Sequence, residues 1–119
     1  MASILVVDDS PTEQRLIIDA LKTTPHQVLT ANDGEEALEM AKKHRPELIL
    51  LDVILPKKNG FQVCRQLKTS PETENIKIVL VTSTTQDSDR FWGLKQGADD
   101  YLGKPFTQDE LESTLTKLL

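Results

Sequence analysis

The chain has a single cysteine, two histidines and no apolar run long enough to cross a bilayer. One thiol, Cys64, excludes an internal disulfide and fits a reducing compartment. Set within a helical pattern, it reads as a packing residue rather than a redox centre. The opening Met1-Ala2-Ser3 lacks the charged and then apolar segments of an export signal, which predicts a cytoplasmic protein without membrane insertion. Basic blocks are missing as well. With 14 basic against 19 acidic residues the net charge is -5, and Lys42-Lys43, Lys57-Lys58 and Arg90 are short and scattered. Nucleic-acid binding needs a basic face that displaces counterions, so direct contact with DNA is not expected. Linkers, low-complexity tracts and repeats are also absent, and 119 residues suit one domain with one core.

What is present is an alternation of strand and helix patterns, five times over. The expected strands are Ile4–Val7, Val28–Ala31, Leu48–Asp52, Ile78–Val81 and a weak Tyr101–Leu102. Leu48-Ile49-Leu50-Leu51 shows no polar alternation, as in a strand covered by helices on both faces. The first helix opens with Ser10 as cap, Pro11 at its first position and Glu13 completing a capping box, and its apolar stripe is Leu16, Ile17, Ala20 and Leu21. The second begins near Asn32-Asp33-Gly34, with Ala37, Leu38 and Ala41 inward. The third follows Asn59-Gly60 and turns Phe61, Cys64 and Leu67 to one side. The fourth follows Asp87, with Phe91 and Leu94 as its core pair and Trp92 partly exposed near the working face. The fifth follows Thr107, which forms a capping box with Glu110, and carries Leu111, Leu115 and Leu118.

Such a (βα)5 pattern with short loops predicts an α/β fold, a parallel five-stranded sheet of doubly wound order 2-1-3-4-5 with helices on both faces. In that architecture ligands bind at the carboxyl ends of the strands. The first strand ends in Asp8-Asp9, the third in Asp52 and the fourth in Thr82, while Lys104-Pro105 follows the fifth. Carboxylates packed this closely repel one another by several kcal/mol at intermediate dielectric, so a proton, the lysine or a cation must relieve them. All the donors are hard oxygens, without histidine or cysteine, which favours Mg²⁺. A carboxylate can act as a nucleophile towards phosphorus, and Asp52 is placed to do so. Thr82 and Lys104 would then share the negative charge of the phosphoryl oxygens. Singly, each of these residues has a plain structural use: aspartates cap helices, and Lys-Pro is common in loops. Their joint placement at the strand ends is what points to chemistry.

The motifs VDD, LILLD, LPKKNG, VLVTS and GADDYLGKPF resemble the receiver domain of two-component response regulators, the CheY-like type, across essentially all of the chain. Asp52 lies 30 residues before Thr82 and 52 before Lys104, as that pattern requires. The resemblance implies a flavodoxin-like or CheY-like fold and one receiver unit over residues 1–119 without an output domain. Asp52 becomes the phosphoacceptor. Asp9 and Asp52 become direct metal ligands, with Asp8 acting through water and the Ile54 carbonyl as a further contact, for Mg²⁺ or Mn²⁺. Thr82 is then the switch hydroxyl, Tyr101 the aromatic that turns inward with it, and Lys104 the phosphate-binding lysine before a cis Pro105. Residues Val81 to Pro105 are most similar to the pilus and gliding-motility subgroup.

The implied partners are a sensor histidine kinase or phosphotransfer protein as donor and a downstream effector protein. The protein itself would be a monomer or an activation-linked dimer. Its only catalysis would be its own phosphorylation and dephosphorylation. His26 and His44, in polar surface contexts, do not suit the donor role. Phosphorylation would draw Thr82 and Lys104 towards Asp52, let Tyr101 rotate and change the face made by the fourth helix, fifth strand and fifth helix. Ile54 and Thr84 offer no carboxylate or amide to position a hydrolytic water, which predicts slow self-dephosphorylation. Two other readings use the same residues. An aspartate-nucleophile phosphohydrolase would want a second acid where Ile54 stands, and a pseudo-receiver binding module would be expected to have lost an acidic or lysine position.

Overall fold

The computed structural model describes residues 2–83 and 94–119. Five strands, β1 (Ser3–Val7), β2 (Gln27–Ala31), β3 (Leu48–Asp52), β4 (Lys77–Thr82) and β5 (Asp100–Gly103), form one sheet. All neighbours pair in parallel, in the order β2-β1-β3-β4-β5. This is the expected doubly wound sheet. Ile4 stands beside Val28 on one side and Leu48 on the other, and Val79 beside Leu50 and Asp100, so the strand ends line up along one edge.

The described helices are α1 (Pro11–Leu21), α2 (Gly34–His44), α3 (Gly60–Thr69) and the C-terminal α4 (Gln108–Leu118), the last being the fifth of the expected set. The start of the expected fourth helix, with Phe91 and Trp92, and also Thr84, lie outside the described residues. Two cores flank the sheet because strand side chains alternate between its faces. Leu5, Val7, Ile49, Leu51, Ile78 and Leu80 meet Ala37 and Ala41 of α2 and Val63, Cys64 and Leu67 of α3. On the other face Ile4, Val6, Leu48, Leu50, Val79 and Val81 meet Ile17 and Leu21 of α1 and Leu111 and Leu115 of α4. Both faces of the central strands are therefore buried, which is why LILLD carries no polar alternation. No described helix is long and apolar enough to cross a membrane.

Several local expectations need correction. Leu16 is 66% exposed, because Ile17 and Leu21, four residues apart, take the inward face of α1. Leu16 instead edges a groove of about 440 Å³ with Ala20, Pro105 and Phe106. Leu94, expected in the core, is 47% exposed. His26 is only half-exposed: its Nδ1 accepts from the Ala2 amide at 3.1 Å, at the amino edge of the sheet. His44 is exposed as expected. The Ser10–Glu13 capping box is half made, since Ser10 Oγ accepts from the Glu13 amide at 3.3 Å but the Glu13 carboxylate points elsewhere. At Thr107–Glu110 both bonds are present, as they are at Asn59–Gln62, which opens α3.

Candidate functional site

Three strands deliver the central groups. β1 runs into Asp8, which is 1% exposed; β3 ends in Asp52, 7% exposed; and β4 ends in the buried Thr82. The Thr82 carbonyl accepts from the Lys104 amide at 2.7 Å, which ties the segment after β5 to the end of β4. The Lys104–Pro105 peptide is cis, as the resemblance implied.

The Lys104 ammonium sits where the acids meet. Its Nζ donates to Asp8 Oδ2 and Glu13 Oε2 at 2.8 Å each and to Asp52 Oδ2 at 3.3 Å. One carboxylate oxygen from each of Asp8, Glu13 and Asp52 lies within 4.8 Å of the others. The remaining oxygens of the two buried acids take backbone donors. Asp8 Oδ1 accepts from the Ser10 amide at 2.9 Å, and Asp52 Oδ1 from the Ile54 amide at 3.1 Å. These bonds fix the two carboxylates at the sheet edge.

The packing below is equally close. The Gly60 amide donates to the Val53 carbonyl at 2.8 Å, and a Cβ on Gly60 would collide with the Asp52 carbonyl oxygen. Only glycine permits α3 to begin so near the main chain of Asp52. On the other flank, Gln14 Nε2 donates to the carbonyls of Asp8 at 3.2 Å and Ala31 at 3.1 Å, joining the ends of β1 and β2 to α1.

Electrostatics follow from this geometry. Burial raises the Asp52 pKa, opposed by the Lys104 charge and the Ile54 amide, while the Asp8 charge adds to the rise. Burial disfavours the charged form of Lys104, but its hydrogen bonds to Asp8 and Glu13 and the charges of Asp52 and Asp8 prevail, and its pKa is raised. One ammonium against three carboxylates leaves the cluster negative and ready to take more positive charge. The carboxylate donors are hard oxygens, the ligand type that suits Mg²⁺ or Mn²⁺, and Lys104 now holds the same oxygens. Cys64, by contrast, is buried in the core with its thiol pushed up to about 12 by desolvation, which suits packing and not reactivity.

Asp8, Asp52, Thr82 and Lys104 thus gather at one edge of the sheet. Asp9, beside them in sequence, is exposed and stands outside the three-carboxylate cluster. The Ile54 side chain is 64% exposed, with its backbone amide turned to Asp52. Tyr101 is already inside, 7% exposed, packed in the core that holds Leu80, Ala98 and Cys64. Glu13 was missed as a member of the site. Its spacing from Ser10 explains it fully as a capping residue, and its partner Lys104 is 91 residues away.

The chain matches the response regulator receiver domain family over residues 4–116. It is 42% identical to protein PilH of Pseudomonas aeruginosa over 119 residues, covering 100% of this chain and 98% of that protein. That match is in line with the subgroup suggested by residues 81–105. Longer transcriptional regulators also match over 98% of this chain, which spans about half of their own length. Among solved structures, the chemotaxis protein CheY4 of Vibrio cholerae superposes with a TM-score of 0.92 at 33% identity, covering 100% of this chain and 99% of that one. The receiver domain of sensor histidine kinase PA1611 from Pseudomonas aeruginosa, which has a magnesium ion coordinated in its active-site cleft, gives 0.91 at 31% identity, covering 98% of this chain and 96% of that one. With a sheet of the expected order, an acidic cluster at its carboxyl edge and a family match along nearly the whole chain, this protein belongs to the response regulator receiver domains of two-component systems.

Proposed function

We propose that this receiver takes a phosphoryl group on Asp52 from a histidine kinase or phosphotransfer protein, in the cytoplasm, and passes the change to an effector protein. The observation that carries this reading is the convergence of Asp8, Asp52 and Lys104 within hydrogen-bonding distance at the carboxyl edge of the sheet. The receiver-domain match over residues 4–116 supports the reading that the change passes to a protein partner.

Asp8, Asp52 and the Ile54 carbonyl, with Asp9 turning in from its exposed position, would hold a divalent cation. When bound, that ion supplies charge neutralisation for the phosphoryl oxygens. In the transfer, Asp52 Oδ2 forms a bond to phosphorus as the bond from phosphorus to the donor imidazole nitrogen breaks, and that nitrogen keeps the electron pair. The Ile54 amide holds the other oxygen, Oδ1, and so aims the nucleophile. Lys104 moves from carboxylate to phosphoryl oxygens, and the Thr82 hydroxyl donates to the same group. Phosphorylation adds about one unit of negative charge at Asp52 and new acceptor oxygens, which biases the β4 and β5 ends towards a second packing. Tyr101, buried here, would then be held in place rather than brought in.

Incubation with acetyl phosphate and Mg²⁺ tests the proposal. Intact mass should show one added phosphoryl group, and Asp52→Asn should abolish it. Steady turnover of the donor without accumulation would favour a phosphohydrolase, and no reaction at all a pseudo-receiver. The exposed Ile54 side chain gives a hydrolytic water no hydrogen bond at the mouth of the site. Ile54→Asn should therefore shorten the lifetime of the phosphorylated form, and an unchanged decay rate would refute this account of position 54.

A further inference from the structure

We propose that Glu13 is the resting anchor of Lys104, a positioning residue that competes with the incoming phosphoryl group for the lysine ammonium. The inference rests on the reading of Asp52 as phosphoacceptor. Glu13 stands three residues after the cap Ser10, where its carboxylate would normally turn back to the cap's backbone amide. Here Asp8 Oδ1 already holds that amide at 2.9 Å, and Glu13 reaches across to Lys104 instead. The 2.8 Å contact equals that of Asp8 and is shorter than the 3.3 Å contact of Asp52.

The three acids differ in how easily they can let go. The Asp8 and Asp52 side chains are 1% and 9% exposed, and losing the ammonium would strand a buried charge. The Glu13 side chain is 47% exposed, so its carboxylate can return to water when the lysine leaves. It is the releasable partner. Its charge also repels an anion arriving at Asp52. Loss of the anchor and loss of the repulsion therefore act in the same direction, and both favour the anion-bound state.

Beryllofluoride, a non-reacting mimic of the phosphoryl group, provides the test by calorimetric titration at saturating Mg²⁺. Glu13→Gln keeps the shape and capping ability of the side chain but removes its charge, and should bind the mimic about threefold more tightly than wild type, the size expected for a partly exposed ion pair. Glu13→Asp keeps the charge but is one methylene too short to hold Lys104 as closely, and should bind more tightly by a smaller factor. If Glu13→Gln shows no gain, the anchor does not exist. If it gains but Glu13→Asp behaves as wild type, charge alone is responsible and the anchoring role is overturned. A wild type that binds no mimic would sink the phosphoacceptor reading and this inference together, whereas binding by wild type without gain in the variants sinks the anchor alone.

Discussion

Two helices in this protein begin with the same signal and end up differently. Ser10-Pro-Thr-Glu13 opens α1 and Thr107-Gln-Asp-Glu110 opens α4. At α4 the box closes: the Glu110 amide donates to Thr107 Oγ1 at 3.1 Å and the Thr107 amide to Glu110 Oε1 at 3.0 Å. At α1 only the first of the two bonds forms, and Asp8 substitutes for Glu13 at the cap amide. The difference lies outside the helices. An exposed start has only itself to satisfy, whereas α1 starts beside a buried ammonium, and a carboxylate gains more from a partner carrying a full positive charge than from the partial charge of a backbone amide.

Removing the ammonium breaks the contrast most forcefully. Lys104→Met leaves Asp8 and Asp52 buried and uncompensated, and should cost about 3 kcal/mol in urea unfolding at pH 7 without metal. Added Mg²⁺ should return part of that loss. Next in size are the caps. Thr107→Ala should cost about 1 kcal/mol, and Ser10→Ala no more than that, its bond to the N3 amide being the longer of the two. Smaller still is the loss of the acidic halves, best followed by amide hydrogen exchange. Glu110→Ala should deprotect the Thr107 amide, whereas Glu13→Ala should leave the Ser10 amide protected by Asp8.

The smallest effect concerns Asp52, where burial is opposed by Lys104 and the Ile54 amide. Its folded-state pKa is raised, so the folded protein binds this proton more tightly than the unfolded chain does. Stability is lost as pH rises from the ordinary value of 3.8 through the raised one, and the full penalty is present at neutral pH. Asp52→Asn should therefore raise the urea midpoint slightly at pH 7 and confer no advantage below pH 3.8.

The same contrast shows what could be read in advance. β3 was legible to the residue because every side chain in LILLD is buried, and burial on both faces leaves an unbroken apolar run. β5 was faint because only its two middle residues are buried, the flanking Asp100 and Gly103 being half-exposed. Leu16 misled because apolar character marks a helix stripe without saying which edge of it faces the sheet. Asp8, Asp52 and Lys104 were legible together because strand ends in a doubly wound sheet meet in space. Glu13 was not, since a local pattern already accounted for it. The exposure of Asp9 was equally hidden, because adjacent residues at a strand end leave in different directions.

The glycine beneath Asp52 has a mechanical consequence. Because α3 starts in contact with the main chain of the residue that would gain charge, there is no cushion of water or flexible side chain between acid and helix. Close-packed matter of this kind passes small displacements on instead of absorbing them. Any shift of the Asp52 backbone is thus handed to a rigid rod, α3, on the opposite side of the sheet from α4.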